Sequence, residues 1–153
     1  MMATAKTKSS TLELLERMFK NVKMGSDSII SLLAKVQNED VKFKSDLTLQ
    51  LNGYESLVNR INGLLREAGE EALEDGLMTK MTAKVGAAMG TIMDSSVSHM
   101  ADMLIQGSTT NQNDTIKLIR EFENTTASEG SLALAREIVK LEEENITRMK
   151  AYL

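Results

Sequence analysis

Proline, cysteine and tryptophan are all absent from this chain of 153 residues, and its one histidine is His99. Without proline, no residue is barred from a helix interior by a missing N–H or a ring clash. Without cysteine there can be no disulfide and no zinc-thiolate site, which suits a reducing compartment, and the cytoplasm is the expected location. Aromatic residues make up only 3% of the chain while Leu, Ala, Glu, Lys and Met are plentiful, a composition that favours helices over strands. A lone histidine leaves no nucleophile and base pair to read. The single Gly-x-x-x-Gly, at Gly86 and Gly90, is no phosphate loop. No window approaches the roughly 18 consecutive apolar residues of a membrane-spanning helix. Eighteen Lys and Arg against 22 Asp and Glu, with the signs interspersed, give a net charge of −4, so no nucleic-acid partner is expected. Lys6 and Lys8 near the start are followed by no apolar run, so neither a signal peptide nor an anchor is read there. The expectation is a disordered tail over residues 1–9 and a single domain over 10–153, long enough to bury about 70% of its unfolded surface.

What the chain does have is helical periodicity. Leu12, Leu15, Phe19, Val22, Ser26, Ile29, Leu33 and Val36 follow one another at spacings of 3 and 4, one continuous seam on an α-helix over about 10–37. Ser10 or Thr11 is placed to cap its start, and Asn38, Glu39 and Asp40 supply a turn. A second seam, Leu47, Leu51, Tyr54, Val58, Ile61 and Leu65, runs to a stop at Gly69. Gly53 and Gly63 inside it each cost up to about 1 kcal/mol relative to alanine, which points to close packing as the reason they are there. After a linker over 69–76, a segment at 77–93 carries Leu77, Met81, Val85, Ala88 and Ile92 on one face and reads as an accessory helix. A third bundle helix is expected from 94 to 106, broken or bent over 107–114 by the run Gly-Ser-Thr-Thr-Asn-Gln-Asn-Asp, then resumed over about 115–126. Ser128 or Gly130 opens the last helix, whose seam is Leu132, Ala135, Val139, Glu142, Ile146, Met149 and Leu153.

The two halves share a pattern. Leu15, Met18, Val22, Gly25 and Ser26 fall onto Val97, Met100, Leu104, Gly107 and Ser108, a displacement of 82, while Leu51, Val58, Ile61 and Leu65 fall onto Val139, Ile146, Met149 and Leu153, a displacement of 88. One helical hairpin used twice makes a four-helix bundle, because each hairpin hides one apolar stripe and needs a partner to cover it.

Paired hairpins, the turn at Asn38 to Asp40 and the final LAREIVKLEEENITRMKAYL resemble the ferritin-like bundles, in particular an uncharacterised bacterial family. That resemblance covers about 12–153 and implies an all-α, ferritin-like four-helix bundle built from two hairpins, with the accessory helix before the third bundle helix. Ferritin-like enzymes and stores hold two irons with a glutamate from each of two helices and a Glu-x-x-His from each of the other two. Here the matching places carry Tyr54 and Glu55, then Glu142 and Asn145, with Ser26 and Asp27 in the first helix. No catalytic residue carries over, and neither a metal nor another cofactor is expected.

Three constellations remain. The repeat superposes Tyr54 on Glu142 and Ser26 on Ser108, a candidate buried polar layer. A buried carboxylate must find donors, become protonated or bind a cation, and Tyr54 is the obvious donor. The layer either fixes helix register or takes a ligand, and a glutamate at the seam's edge could instead reach solvent. Met78, Met81, Met89, Met93, Met100 and Met103, with His99 among them, would suit a soft ion but read first as adaptable core filling. Gly86 and Gly90 would let another helix approach closely and are the candidate contact of a homodimer. The reading is a non-enzymatic interaction or structural protein. One alternative is a metal-handling protein using Tyr54, Glu55, Glu142 and His99. Another is a membrane-surface binder that uses the 77–93 helix with Lys80 and Lys84 on its polar side.

Overall fold

The computed structural model describes residues 9–73 and 96–153, and these form four helices with no strand among them. They are α1 (Ser10–Leu33), α2 (Val41–Glu67), α3 (Val97–Phe122) and α4 (Glu129–Lys150). Residues 1–8 of the expected tail, the 77–93 helix with Gly86 and Gly90, and four of the six clustered methionines lie outside the described residues, whereas Ser9, the last residue of that tail, is ordered as a helix cap.

Local chemistry sets most of the helix ends. Ser9, one residue earlier than expected, accepts from the Leu12 N–H at 3.1 Å and caps α1. Ser96 and Ser128 cap α3 and α4 in the same way, through the N–H groups of His99 and Ser131. At the end of α2, Gly69 adopts a φ of 77°, its N–H bonds Arg66 O at 3.0 Å and the Glu70 N–H bonds Leu65 O at 2.8 Å. This paired closure uses carbonyls the helix leaves unsatisfied and needs a left-handed residue, which glycine supplies. The first helix stops at Leu33 rather than 37, yet Val36 stays buried in the turn that follows.

The expected break over 107–114 does not occur. Helix α3 runs unbroken through it, and its buried residues Met100, Leu104, Ser108, Asn111, Thr115, Leu118 and Phe122 keep the 4 and 3 spacing of a seam. The polar letters that read as a bend are the seam itself. Their side chains do not compete with the helix either: the hydroxyls of Thr109, Thr110 and Thr115 donate to the carbonyls of Ile105, Gln106 and Asn111, one turn back.

Contacts between helices define a four-cornered arrangement in which α1 packs on α2 and α3, and α4 packs on α3 and α2. Arg17 meets Glu121 and Asn21 meets Asn111, so α1 and α3 are antiparallel. Asp46 meets Tyr152, Tyr54 meets Glu142 and Arg60 meets Glu137, so α2 and α4 are antiparallel too. Because α1 and α2 pack together across a connection of only residues 34–40 and so form an antiparallel hairpin, α2 and α3 run the same way, and the end of α2 and the start of α3 lie at opposite ends of a bundle about 40 Å long. The core between the helices holds Leu14, Leu15, Met18, Phe19, Phe43, Leu47, Ile61, Leu65 and Met100, all at most 2% exposed. At the far end Tyr152 closes the bundle, its ring edge-on to Phe43 at 4.9 Å and its hydroxyl donating to Asp46. Burial first, then the Asp46 carboxylate, pushes that phenol up to about 12.

The glycines inside the helices behave differently from the close-packing expectation. Neither Gly53 nor Gly63 is demanded by packing: a Cβ at Gly63 would meet nothing within 4 Å, and one at Gly53 would make ordinary contact with Leu141 at 3.4 Å. Gly25 is the demanding position, since a Cβ there would lie 2.8 Å from Cζ of Tyr54. Gly107, at the matching place in α3, has nothing within 4 Å. Opposite responses are therefore expected. Gly25→Ala should cost about 1–3 kcal/mol by overpacking the ring, whereas Gly107→Ala should be neutral or stabilise by up to about 1 kcal/mol through helix propensity. Urea denaturation of the two variants checks this, and equal effects would show that the Tyr54 ring does not depend on Gly25.

Candidate functional site

The middle of the bundle is polar. Tyr54, on the seam of α2, and Glu142, on the seam of α4, are 3% and 0% exposed, and the Tyr54 hydroxyl donates to Oε1 of Glu142 at 2.5 Å. Asn145, one turn beyond Glu142 and also buried, donates its Nδ2–H to the Tyr54 oxygen at 3.4 Å. The layer thus joins α2 to α4 through a chain from Asn145 to Tyr54 to Glu142. The hydroxyl of Ser108 on α3 also bears on the pair and favours the ionised form of both. Ser26 is buried in α1, and Asp27 beside it lies 3.9 Å from the Lys23 ammonium.

Burial dominates the electrostatics. It pushes the Glu142 carboxyl up to about 7, against the opposing pull of the Tyr54 and Ser108 hydroxyls, which prefer a carboxylate. The Tyr54 phenol is raised well above its ordinary value, first by burial and then by the charge on Glu142. The geometry explains why the donors do not win. Oε1 of Glu142 has Tyr54, but Oε2 is buried without a hydrogen-bond partner, so ionisation would leave half of a carboxylate's charge facing no donor. One turn before Tyr54, the Nε2 of Gln50 is buried and unpartnered as well.

Of the residues in the metal-handling alternative, only Tyr54 and Glu142 meet. Glu55 follows Tyr54 onto the exposed side of α2, and His99 sits half-buried in the first turn of α3. Among the described residues no three of His, Asp and Glu gather as metal ligands. Of the clustered methionines, Met100 is fully buried in the core. Three buried polar residues escaped the layer as read from the sequence. Gln50 lies between Leu47 and Leu51 within an apolar seam, Asn145 stands where the resemblance places a metal ligand, and Asn111 sits in the polar run that reads as a bend. Their common signal is position: each stands 3 or 4 residues from a layer member, Gln50 from Tyr54, Asn111 from Ser108 and Asn145 from Glu142.

Compared with protein-family models, curated proteins and solved structures, the chain matches none of them. The site is therefore interpreted from its own chemistry.

Proposed function

We propose that this protein is a non-enzymatic bundle of ferritin-like connectivity, a cytoplasmic interaction or structural protein that works as a homodimer. The central layer carries the reading. A carboxyl that is neutral through much of its range, bonded to a phenol that is itself bonded to an amide, resembles a device for helix register more than an open ligand set. A cation binding Glu142 would have to displace the Tyr54 proton or reach the buried Oε2. The connectivity adds support, since parallel α2 and α3 require one long crossover, as in ferritin-like bundles.

Anaerobic Fe(II) titration followed by air exposure tests the absence of di-iron chemistry. Less than stoichiometric iron and no ferrous oxidation above background are expected; two irons per chain with an oxo-bridge absorption band would overturn the reading. Self-association rests on the sequence pattern of the 77–93 segment. Light scattering should give twice the mass of one chain, and Gly90→Leu should weaken the dimer. A strict monomer at high concentration would remove this part of the proposal.

A further inference from the structure

Two hollows lie on one face of the bundle, between α1 and α3. The first is a pocket of about 190 Å³ whose walls include Met24, Ile29, Met103 and Leu104 beside the polar Ser28, Thr110 and Asn111, and among the described residues no charged one lines it. Its inner end carries the Tyr54 ring and Ser108. A cavity of about 150 Å³ takes up a molecule the size of benzene, so this pocket has room for on the order of six to eight carbon atoms. Gly107 borders it, and since a Cβ there would meet no atom within 4 Å, nothing in the described residues fills the space beside it.

The second hollow, of about 400 Å³, lies further along the same two helices and is lined by Arg17, Lys20, Asn21, Asp114, Lys117 and Leu118. Arg17 is held by Glu121 at 2.8 Å. Lys20 and Lys117 are in no ion pair among the described residues, and Asp114 is the one carboxylate in the lining, so positive charge remains. Between the hollows Asn111, which lines the first, donates to the backbone carbonyl of Asn21, which lines the second, at 3.3 Å, so a chain reaching from one to the other must pass over this bridge. Gly25 and Lys20 are five residues apart on α1, about 8 Å along the axis, within reach of a chain of on the order of eight to ten carbons.

We propose that this groove binds a single-chain amphipathic anion, a medium-chain carboxylate in class, with its hydrocarbon between Met24, Ile29, Met103 and Leu104 and its head beside Lys20 and Lys117. An uncharged, mostly apolar pocket selects the chain, and the neighbouring ammonium groups select the charge. This goes beyond the scaffold reading, and iron titration does not bear on it.

Calorimetric titration of the full-length protein with decanoate, kept below its micelle-forming concentration, tests the proposal, with decanol and acetate as the chain-only and head-only arms. Decanoate is expected to bind saturably and more tightly than decanol, and acetate not at all. Lys20→Glu with Lys117→Glu should weaken decanoate about tenfold while leaving decanol within about twofold. Gly107→Leu, which places a side chain at the edge of the pocket, should weaken both by about tenfold or more. If that variant does not fold, the methyl signals of Met24 and Met103 in the wild-type protein give the answer, since decanoate must shift both. Absence of saturable decanoate binding, binding unchanged in folded Gly107→Leu, or equal loss of both ligands in the lysine double variant would overturn the proposal. So would a dimer that excludes decanoate and dissociates in Gly107→Leu, because the groove would then belong to a second copy of the chain.

Discussion

Between about pH 4.5 and pH 7, the stability of Glu142→Gln relative to the wild-type protein is expected to rise by about 3 kcal/mol. Glu142 titrates near its ordinary value when unfolded and near 7 when folded. Below the unfolded value both states carry the proton and the native state keeps its full advantage. As the pH rises toward 7 the unfolded chain releases that proton while the native protein retains it, so the contribution is progressively lost, and above 7 it stays lost. Glutamine keeps a donor and an acceptor at the same length and does not titrate. Taking the difference between variant and wild type at each pH cancels every contribution the two proteins share. Urea denaturation at pH 5, 6, 7 and 8 is the measurement. Parallel stability curves for the two proteins would show that Glu142 titrates as an ordinary surface glutamate.

Tyr54→Phe should cost about 2 kcal/mol at pH 8, because it takes the hydroxyl from Oε1 while Oε2 already lacks a partner, and leaves the Asn145 amide without its acceptor. In a Glu142→Leu background the same change should be much milder, since replacing both partners by apolar groups removes the unmet demand along with the bond. The coupling between the two positions is expected to be about 1–3 kcal/mol from the double-mutant cycle. Additive effects would mean that the bond between Tyr54 and Glu142 contributes nothing to stability, and the register role proposed for the layer would go with it.

The seams of the first, second and last helices were legible because their buried positions carry apolar residues at helical spacing, from Leu15 to Leu32, Leu47 to Leu65 and Leu132 to Met149. Leu153, expected to close the last seam opposite Leu65 in the repeat, instead lies past the helix end and is 65% exposed. The third seam is not legible, for the complementary reason. Ser108, Asn111 and Thr115 are buried at the same spacing but are polar, and a hydrophobic pattern cannot count them. Glycine misleads in a similar way. Gly25 and Gly107 look alike in the chain, yet one lies under a tyrosine ring and the other beside open space.

By itself the sequence determined the helical class, three of the four seams, the stop at Gly69, the serine cap of the last helix, and matching seam positions for Tyr54 and Glu142. All of these follow from local rules: spacing, capping chemistry and the preference of glycine for a positive φ. Only the tertiary structure decided that the third helix runs unbroken, that α2 and α3 are parallel, and that Asn145 completes a chain to Glu142. It also decided that one carboxyl oxygen is left without a donor, and that a mostly apolar hollow and a basic one lie between α1 and α3. Each of these depends on which faces of separate helices come together. Residues 54 and 142 are 88 apart in the chain, and no local rule acts across that distance; the docking of whole seams brings them within 2.5 Å.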